Sequence, residues 1–244
     1  MLVLLSVLSP TFMAQVPIFF QEQIQFLRVK NAWKNEKDSL NLLLKSHNID
    51  KKNLQIFIRA FKQEGILEVW VKNKTETKYR KLKSWSICSK SGFLGPKIEQ
   101  GDRQVPEGVY FIDRFNPSSS YHLSLGISYP NSVDRKRSGA KNPGGDIFIH
   151  GYCVTIGCLP MTNEGIEEIY LLSVLARNAG QKNIPIHIFP FRLTQKNMNI
   201  ADTENSKNWM EFWKNLQEVY NYFDINQEIG NWKCGKSGAY ERIL

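Results

Sequence analysis

The chain has 244 residues, of which 42% are hydrophobic and 12% aromatic. That is enough to bury a sizeable core in one large domain or two small ones, which excludes a disordered or fibrous polymer. Its formal charge of +9 favours anionic partners such as nucleic acid, acidic lipid or cell-wall glycan. The basic residues are scattered, however, and no helix, RNA-binding sheet or zinc-finger signature accompanies them, so nucleic acid is set aside as a partner.

Residues 1–14 carry the apolar run Leu2 to Leu8, then Ser9-Pro10 and a cleavage point after Ala14. This resembles a signal peptide lacking its basic leading region, and a buried N-terminal strand is the competing reading. The run is too short for a bilayer-spanning helix, which needs about 20 residues, so no transmembrane anchor is expected. Cys88, Cys153, Cys158 and Cys234 suit either redox compartment.

Residues 15–53 read as an N-terminal helical extension, because Ile24, Leu27, Trp33, Leu40, Leu43 and Leu44 recur among charges at helical spacing. Leu54 to Phe61, a Gly65-containing turn and Ile66 to Val71 predict a hairpin, to which Leu82 to Ile87 adds a strand. Past the turn formers between Gly92 and Gly108, strands are predicted at Val109 to Ile112 and Tyr121 to Ile127. Tyr129 to Gly145 reads as a long polar loop carrying Arg135, Lys136 and Arg137, placed to overhang His150. Thr162 caps a predicted helix over 163–178, Ile184 to Pro190 reads as a short strand, and the aromatic spacing of Trp209 to Phe223 predicts a helix laid on the core. The expected architecture is mainly β with flanking helices, the domain running over 54–244 with no Gly/Ser-rich linker.

The chemistry concentrates in Ile147 to Cys158, where an apolar run delivers His150 to Gly151 and Gly157 precedes Cys158. Three readings are open. Cys158 can be a nucleophile with His150 as its base and the amides of Gly157 and Cys158 as oxyanion donors. His150, Cys153 and Cys158 can instead begin a metal site, with His187 or Cys234 as a distant fourth ligand. Or the stretch is structural, with Cys153 and Cys158 bridged or buried and His150 a core histidine.

Ile149-His150-Gly151 followed by Thr155-Ile156-Gly157-Cys158 resembles the His-Gly … Ser/Thr-x-Gly-Cys signature of the YkuD-type L,D-transpeptidase catalytic domain. Gly95-Pro96-Lys97, Gly101 to Tyr110, and Gly157 to Thr162 look more narrowly like its YafK-like branch. The resemblance covers about Leu54 to Phe223 and implies an L,D-transpeptidase-like β-sandwich or barrel. It further implies that Cys158 attacks the diaminopimelate carbonyl of a peptidoglycan stem peptide, expels D-Ala and leaves a thioester that an amine acceptor resolves. His150 would be base and then acid, oriented through its other ring nitrogen by the Gly151 carbonyl. No metal or organic cofactor is implied, and the setting would be the periplasm or cell envelope.

Two departures matter. Many members carry histidine before the Gly-Cys pair and arginine or asparagine two positions after the cysteine, where this chain has Ile156 and Pro160. The YafK-like branch shares that pattern and includes an enzyme that releases lipoprotein from peptidoglycan. An L,D-endopeptidase or amidase acting on wall-linked lipoprotein is therefore the alternative, and a non-catalytic wall-binding module is a further one. Lys97, Arg103, Thr155 and Tyr152 are the candidate substrate-binding residues. His122 and His187 are expected to be strand histidines with satisfied hydrogen bonds, and Cys153 either a bystander thiol or a reversible partner of Cys158.

Overall fold

Helix α1 (Ile18–Gln23) and the longer α2 (Leu27–Ser46) open the described part of the chain. Along α2, Val29, Ala32, Leu40 and Leu44 are buried while the intervening charged residues face outward, the stripe expected of an amphipathic helix. The computed structural model describes residues 18–203 and 208–243, so the apolar run and cleavage point within residues 1–14 lie outside the described residues.

The chain then forms β1 (Leu54–Phe61), β2 (Ile66–Asn73), β3 (Arg80–Ser86), β4 (Gly108–Asn116) and β5 (Ser124–Ile127). After these come α3 (Ser132–Ser138), β6 (Phe148–His150), β7 (Leu159–Pro160), α4 (Asn163–Asn178) and β8 (Ile184–Phe189). Helices α5 (Gln195–Thr203) and α6 (Met210–Asn226) and the hairpin β9 (Trp232–Cys234) with β10 (Tyr240–Arg242) complete it. One curled eight-stranded sheet runs β3-β2-β1-β8-β4-β5-β6-β7. Its β1–β2, β2–β3, β4–β5, β4–β8 and β5–β6 pairs are antiparallel, whereas β1–β8 and β6–β7 are parallel. Helix α4 is capped by the Thr162 hydroxyl and buried along most of its length. It lies between the sheet and the α1–α2 pair, tied by Tyr170 to Gln23 (2.6 Å) and by the Phe20 amide to Asn178 (3.0 Å). Helix α6 buries Phe212, Trp213, Tyr220 and Phe223 on the sheet with Phe61 and Phe189, as its aromatic spacing predicts.

Three expectations need correction. Tyr121 to Leu123 is loop, not strand, because His122 takes a left-handed φ of 67° that extended pairing cannot accommodate. The 129–145 segment contains α3, nucleated by a capping box in which Asn131 accepts from the Asp134 amide and Asp134 accepts from the Asn131 amide. This helix does not overhang His150: Lys136 bonds the carbonyls of Gly235 and Lys236, and Arg137 lies over Phe212. His187 does lie in a strand, but both its ring nitrogens are buried without a hydrogen-bond partner among the described residues. Its ring packs against Phe57 at 4.7 Å, and it pairs in register with Arg59 on β1.

Burial, helped by Arg59, pushes the His187 pKa down to about 3. The folded protein therefore keeps His187 neutral, whereas the unfolded chain takes up a proton near pH 6.5, so stability present above that pH is lost as pH falls towards 3. Urea denaturation should show this site weakening the fold by about 2 to 3 kcal/mol between pH 7 and pH 4.5. His187→Leu should remove that acid dependence while costing little at pH 7, since it replaces unpaired polar atoms by apolar ones.

Candidate active site

The site is assembled where short parallel strands end. Pairing of Ile149 with Leu159 and of His150 with Pro160 sets His150 at the end of β6 and Cys158 directly before β7. The Met161 amide donates to the His150 carbonyl (2.8 Å) and fixes that register. Both residues line one cavity of about 490 Å³, whose polar wall is Asn116, Ser119, Ser120, Tyr121 and Ser124. Cys158 also borders a second cavity of about 290 Å³, lined by Ile87, Leu94, Val105 and Leu159 together with Lys62, Lys90 and Ser91. The thiol thus borders two cavities, each lined by both polar and apolar side chains.

His150 is 3% exposed, and its Nδ1 lies 2.6 Å from the Gly151 carbonyl oxygen. A carbonyl only accepts, so Nδ1 carries the proton and Nε2 keeps its lone pair. Burial pushes the imidazole pKa down, with the Gly151 bond partly opposing it. Burial likewise pushes the Cys158 thiol up; a backbone hydrogen bond at Phe148 and the charge of Lys97 pull it back, and Asp146 adds to the rise. Burial thus disfavours the charged form of each group, which weighs against a preformed thiolate–imidazolium pair.

The turn before the thiol depends on glycine and threonine. Gly157 has φ +136°, and a Cβ there would lie 3.2 Å from the Gln104 carbonyl oxygen, so no larger residue fits without strain. The Thr155 hydroxyl accepts from the amides of Cys158 (2.8 Å) and Gly157 (3.2 Å) and donates to the Cys158 carbonyl (2.9 Å). The amides predicted to face an oxyanion are thus gathered on one hydroxyl oxygen. Ile156, 80% exposed, and Val154 line the chamber's outer edge.

The Gly/Pro-rich segment is held against this turn from within. Lys62 donates to the carbonyls of Gly95 (2.8 Å) and Val105 (2.9 Å) and to Glu107 (2.8 Å). Glu107 in turn accepts from the Gly95 amide (2.7 Å) and from Trp213 (2.8 Å). Lys97 is buried and committed to Asp102 (2.6 Å) and the Glu99 carbonyl (2.9 Å), so it positions the loop and is not presented to a ligand. Burial would raise the Asp102 carboxyl, but Lys97 and the amides of Gln104, Glu99 and Ile98 outweigh it and hold the group below its ordinary range. Arg103, exposed and at φ 58°, projects from that loop. Tyr152, 47% exposed, lines neither cavity at Cys158; its amide bonds Asn163 (3.1 Å).

Cys153 is neither a bystander nor a partner of Cys158. It is bonded to Cys88 across 65 residues, with a Cα–Cα separation of 5.4 Å, which fits disulfide geometry. That bond ties the 151–158 loop to the segment after β3 and removes Cys153 from any metal set. His187, the other proposed ligand, is buried beside Phe57 and Arg59. No cluster of three or more potential metal ligands occurs among the described residues.

Residues 55–176 match the YkuD family, described as the L,D-transpeptidase catalytic domain. The chain belongs to this family. It is also 40% identical over 171 residues to YafK of Escherichia coli K12, named as a candidate L,D-transpeptidase, the match covering 69% of this chain and 66% of YafK. The same figures hold for YafK of Escherichia coli O157:H7. Among solved structures, the chain is similar to the helical cell shape determining protein Pgp2 of Campylobacter jejuni, at 21% identity and a TM-score of 0.45 over 74% of this chain and 73% of that one. It is also similar to Bd1075 of Bdellovibrio bacteriovorus, at 21% identity and a TM-score of 0.39 over 68% and 72%. Within the family's domain, sequence reasoning missed Tyr121, whose ring lies 4.7 Å from that of His150, along with Ser124 and the Cys88 anchor. Only the β5–β6 pairing of Ser124 with His150 and the loop before it bring those residues in.

The raised thiol yields a direct check in a Cys234→Ser background, which leaves Cys158 as the free cysteine. Thiolate absorbance near 240 nm should be absent at pH 7 and emerge only above the ordinary thiol range of about 8.5. A thiolate signal at pH 7 would mean that the resting pair is ionic.

Proposed function

We propose that this protein is a cysteine-dependent acyltransferase of the L,D-transpeptidase type, acting on peptidoglycan stem peptides in the cell envelope. The observation that carries the reading is the shared cavity: Cys158 and a buried His150 with a free Nε2 line one chamber inside a domain of this family. Substrate entry brings His150 Nε2 into reach of the thiol proton. Cys158 Sγ attacks the diaminopimelate carbonyl as His150 takes that proton, and the carbonyl oxygen becomes the oxyanion. The Gly157 and Cys158 amides, which donate to the Thr155 hydroxyl at rest, exchange that bond for one to the oxyanion. Collapse breaks the amide bond, His150 returns the proton to the leaving D-Ala nitrogen, and a thioester remains on Cys158. An incoming amine then attacks the thioester and gives its proton to His150, the C–S bond breaks, and His150 returns the proton to the departing Cys158 sulfur.

The two chambers favour transfer over hydrolysis. Water needs no built site, whereas a second cavity bordering Cys158, in which Ile87, Leu94, Val105 and Leu159 stand beside Lys62, Lys90 and Ser91, leaves room for the stem of an amine acceptor. The exposed cation of Arg103 is suited to a stem-peptide carboxylate. Export is supported by the Cys88–Cys153 disulfide, since such bonds persist in oxidising compartments.

Carbapenem acylation of Cys158, followed by intact-protein mass spectrometry, tests the chemistry. His150→Ala should slow it by about 10²- to 10⁴-fold, the usual worth of a general base. Because the imidazole pKa is lowered, neutral His150 predominates at pH 7, and the acid limb of the wild-type rate should lie below about pH 6.5. Muropeptide analysis after incubation with purified protein then separates the products. Dimers joined 3→3 through diaminopimelate, or new amine conjugates, are expected, whereas trimmed stems or freed lipoprotein alone would make the protein a hydrolase.

A further inference from the structure

Arg28 stands on α2, outside the 55–176 region that matches the family, yet it reaches the active-site wall. Its Nη1 donates to the carbonyl of Ser119 and, at 2.7 Å, to that of His122. These carbonyls bracket Tyr121 in the β4–β5 loop. On its inner side the same loop accepts the Gly151 amide at the carbonyls of Tyr121 (3.0 Å) and Leu123 (3.2 Å). The Gly151 carbonyl, on the other face of that residue, accepts from His150 Nδ1 at 2.6 Å, and the Tyr121 ring lies 4.7 Å from the imidazole. A Cβ at Gly151 would come within 2.9 Å of both the Tyr121 carbonyl and His122 Cβ, so loop and glycine are in close contact.

The contacts form one continuous path, from Arg28 to the Ser119 and His122 carbonyls, through Tyr121 to Gly151, and on to the His150 imidazole. The loop needs bracing because it is not a strand: His122 holds a left-handed φ of 67°, and its Nε2 is anchored to Glu167 on α4 at 2.6 Å. Glu167 fastens the loop from the family domain, and Arg28 fastens it from the N-terminal pair of helices.

We infer that Arg28 is a positioning residue for His150 and that the α1–α2 extension serves the active site as an external brace, setting the loop that orients the base. The inference rests on His150 being that base, but the orientation itself can be read independently of catalysis. Nitrogen-15 imidazole shifts should show His150 as the Nδ1–H tautomer in the full-length wild-type protein. In Arg28→Ala they should show a mixture of tautomers, with the melting temperature little changed because Arg28 is exposed. Carbapenem acylation at pH 7 should fall on the order of tenfold, a loss in keeping with small misplacements of a reacting group, and Arg28→Lys should restore most of it. Tyr121→Leu removes the ring against His150, and its effect should be less than additive with that of Arg28→Ala, as expected for residues acting through one loop.

An Arg28→Ala protein with the wild-type tautomer and acylation rate overturns the inference, as does strict additivity with Tyr121→Leu. A wild-type protein that is never acylated, but whose His150 tautomer still changes with Arg28→Ala, leaves the brace standing and removes the proposed catalysis instead.

Discussion

The site depends on the pairing of two very short parallel strands. β6 spans three residues and β7 two, too little hydrogen bonding to be stable alone. They persist because β6 continues an eight-stranded sheet and because Ile149 and Leu159, the paired residues that flank His150 and Cys158, are fully buried. Apolar burial therefore sets the register, and the register brings an imidazole and a thiol separated by seven intervening residues into one chamber. A one-residue slip of β7 against β6 would break the Ile149–Leu159 pairing and shift Cys158 away from His150.

Around that pairing, backbone groups that carry the chemistry are held by side chains that do not. Thr155 gathers the amides before and at the nucleophile, Gly151 offers its carbonyl to His150, and the Cys88–Cys153 bond limits how far the intervening loop can open. The Gly/Pro-rich segment is a rigid wall because Lys62 and Glu107, both buried, satisfy one another and the segment's own backbone. A buried ion pair is costly unless its remaining donors and acceptors are filled. Here they are filled by Gly95, Val105 and Trp213, so the pair fixes a geometry that an apolar contact would leave loose.

The electrostatics follow from the same burial. Low dielectric raises the thiol and lowers the imidazole, which disfavours the charged form of each. Such a bias suits the general-base attack proposed above and makes the resting thiol less prone to oxidation or alkylation.

Much of this was legible in residue order. Period-two and period-3.6 patterning located the β1–β2 hairpin, α4 and the aromatic helix α6, and the Thr-x-Gly-Cys spacing after a His-Gly pair singled out His150 and Cys158. Local pattern failed where the deciding partner lies far along the chain. Lys97 reads as a ligand cation until Asp102 and a buried setting claim it, and Cys153 reads as a neighbour of Cys158 until Cys88 takes it. Tyr121 and Arg28 carry no motif at all. By itself the sequence determined most of the longer elements, the family and the candidate His150–Cys158 pair, because these rest on periodicity and short-range spacing. Tertiary structure alone decided which cations remain free, which cysteine is bonded and which helix braces the base, because those depend on contacts spanning tens of residues that no local pattern encodes.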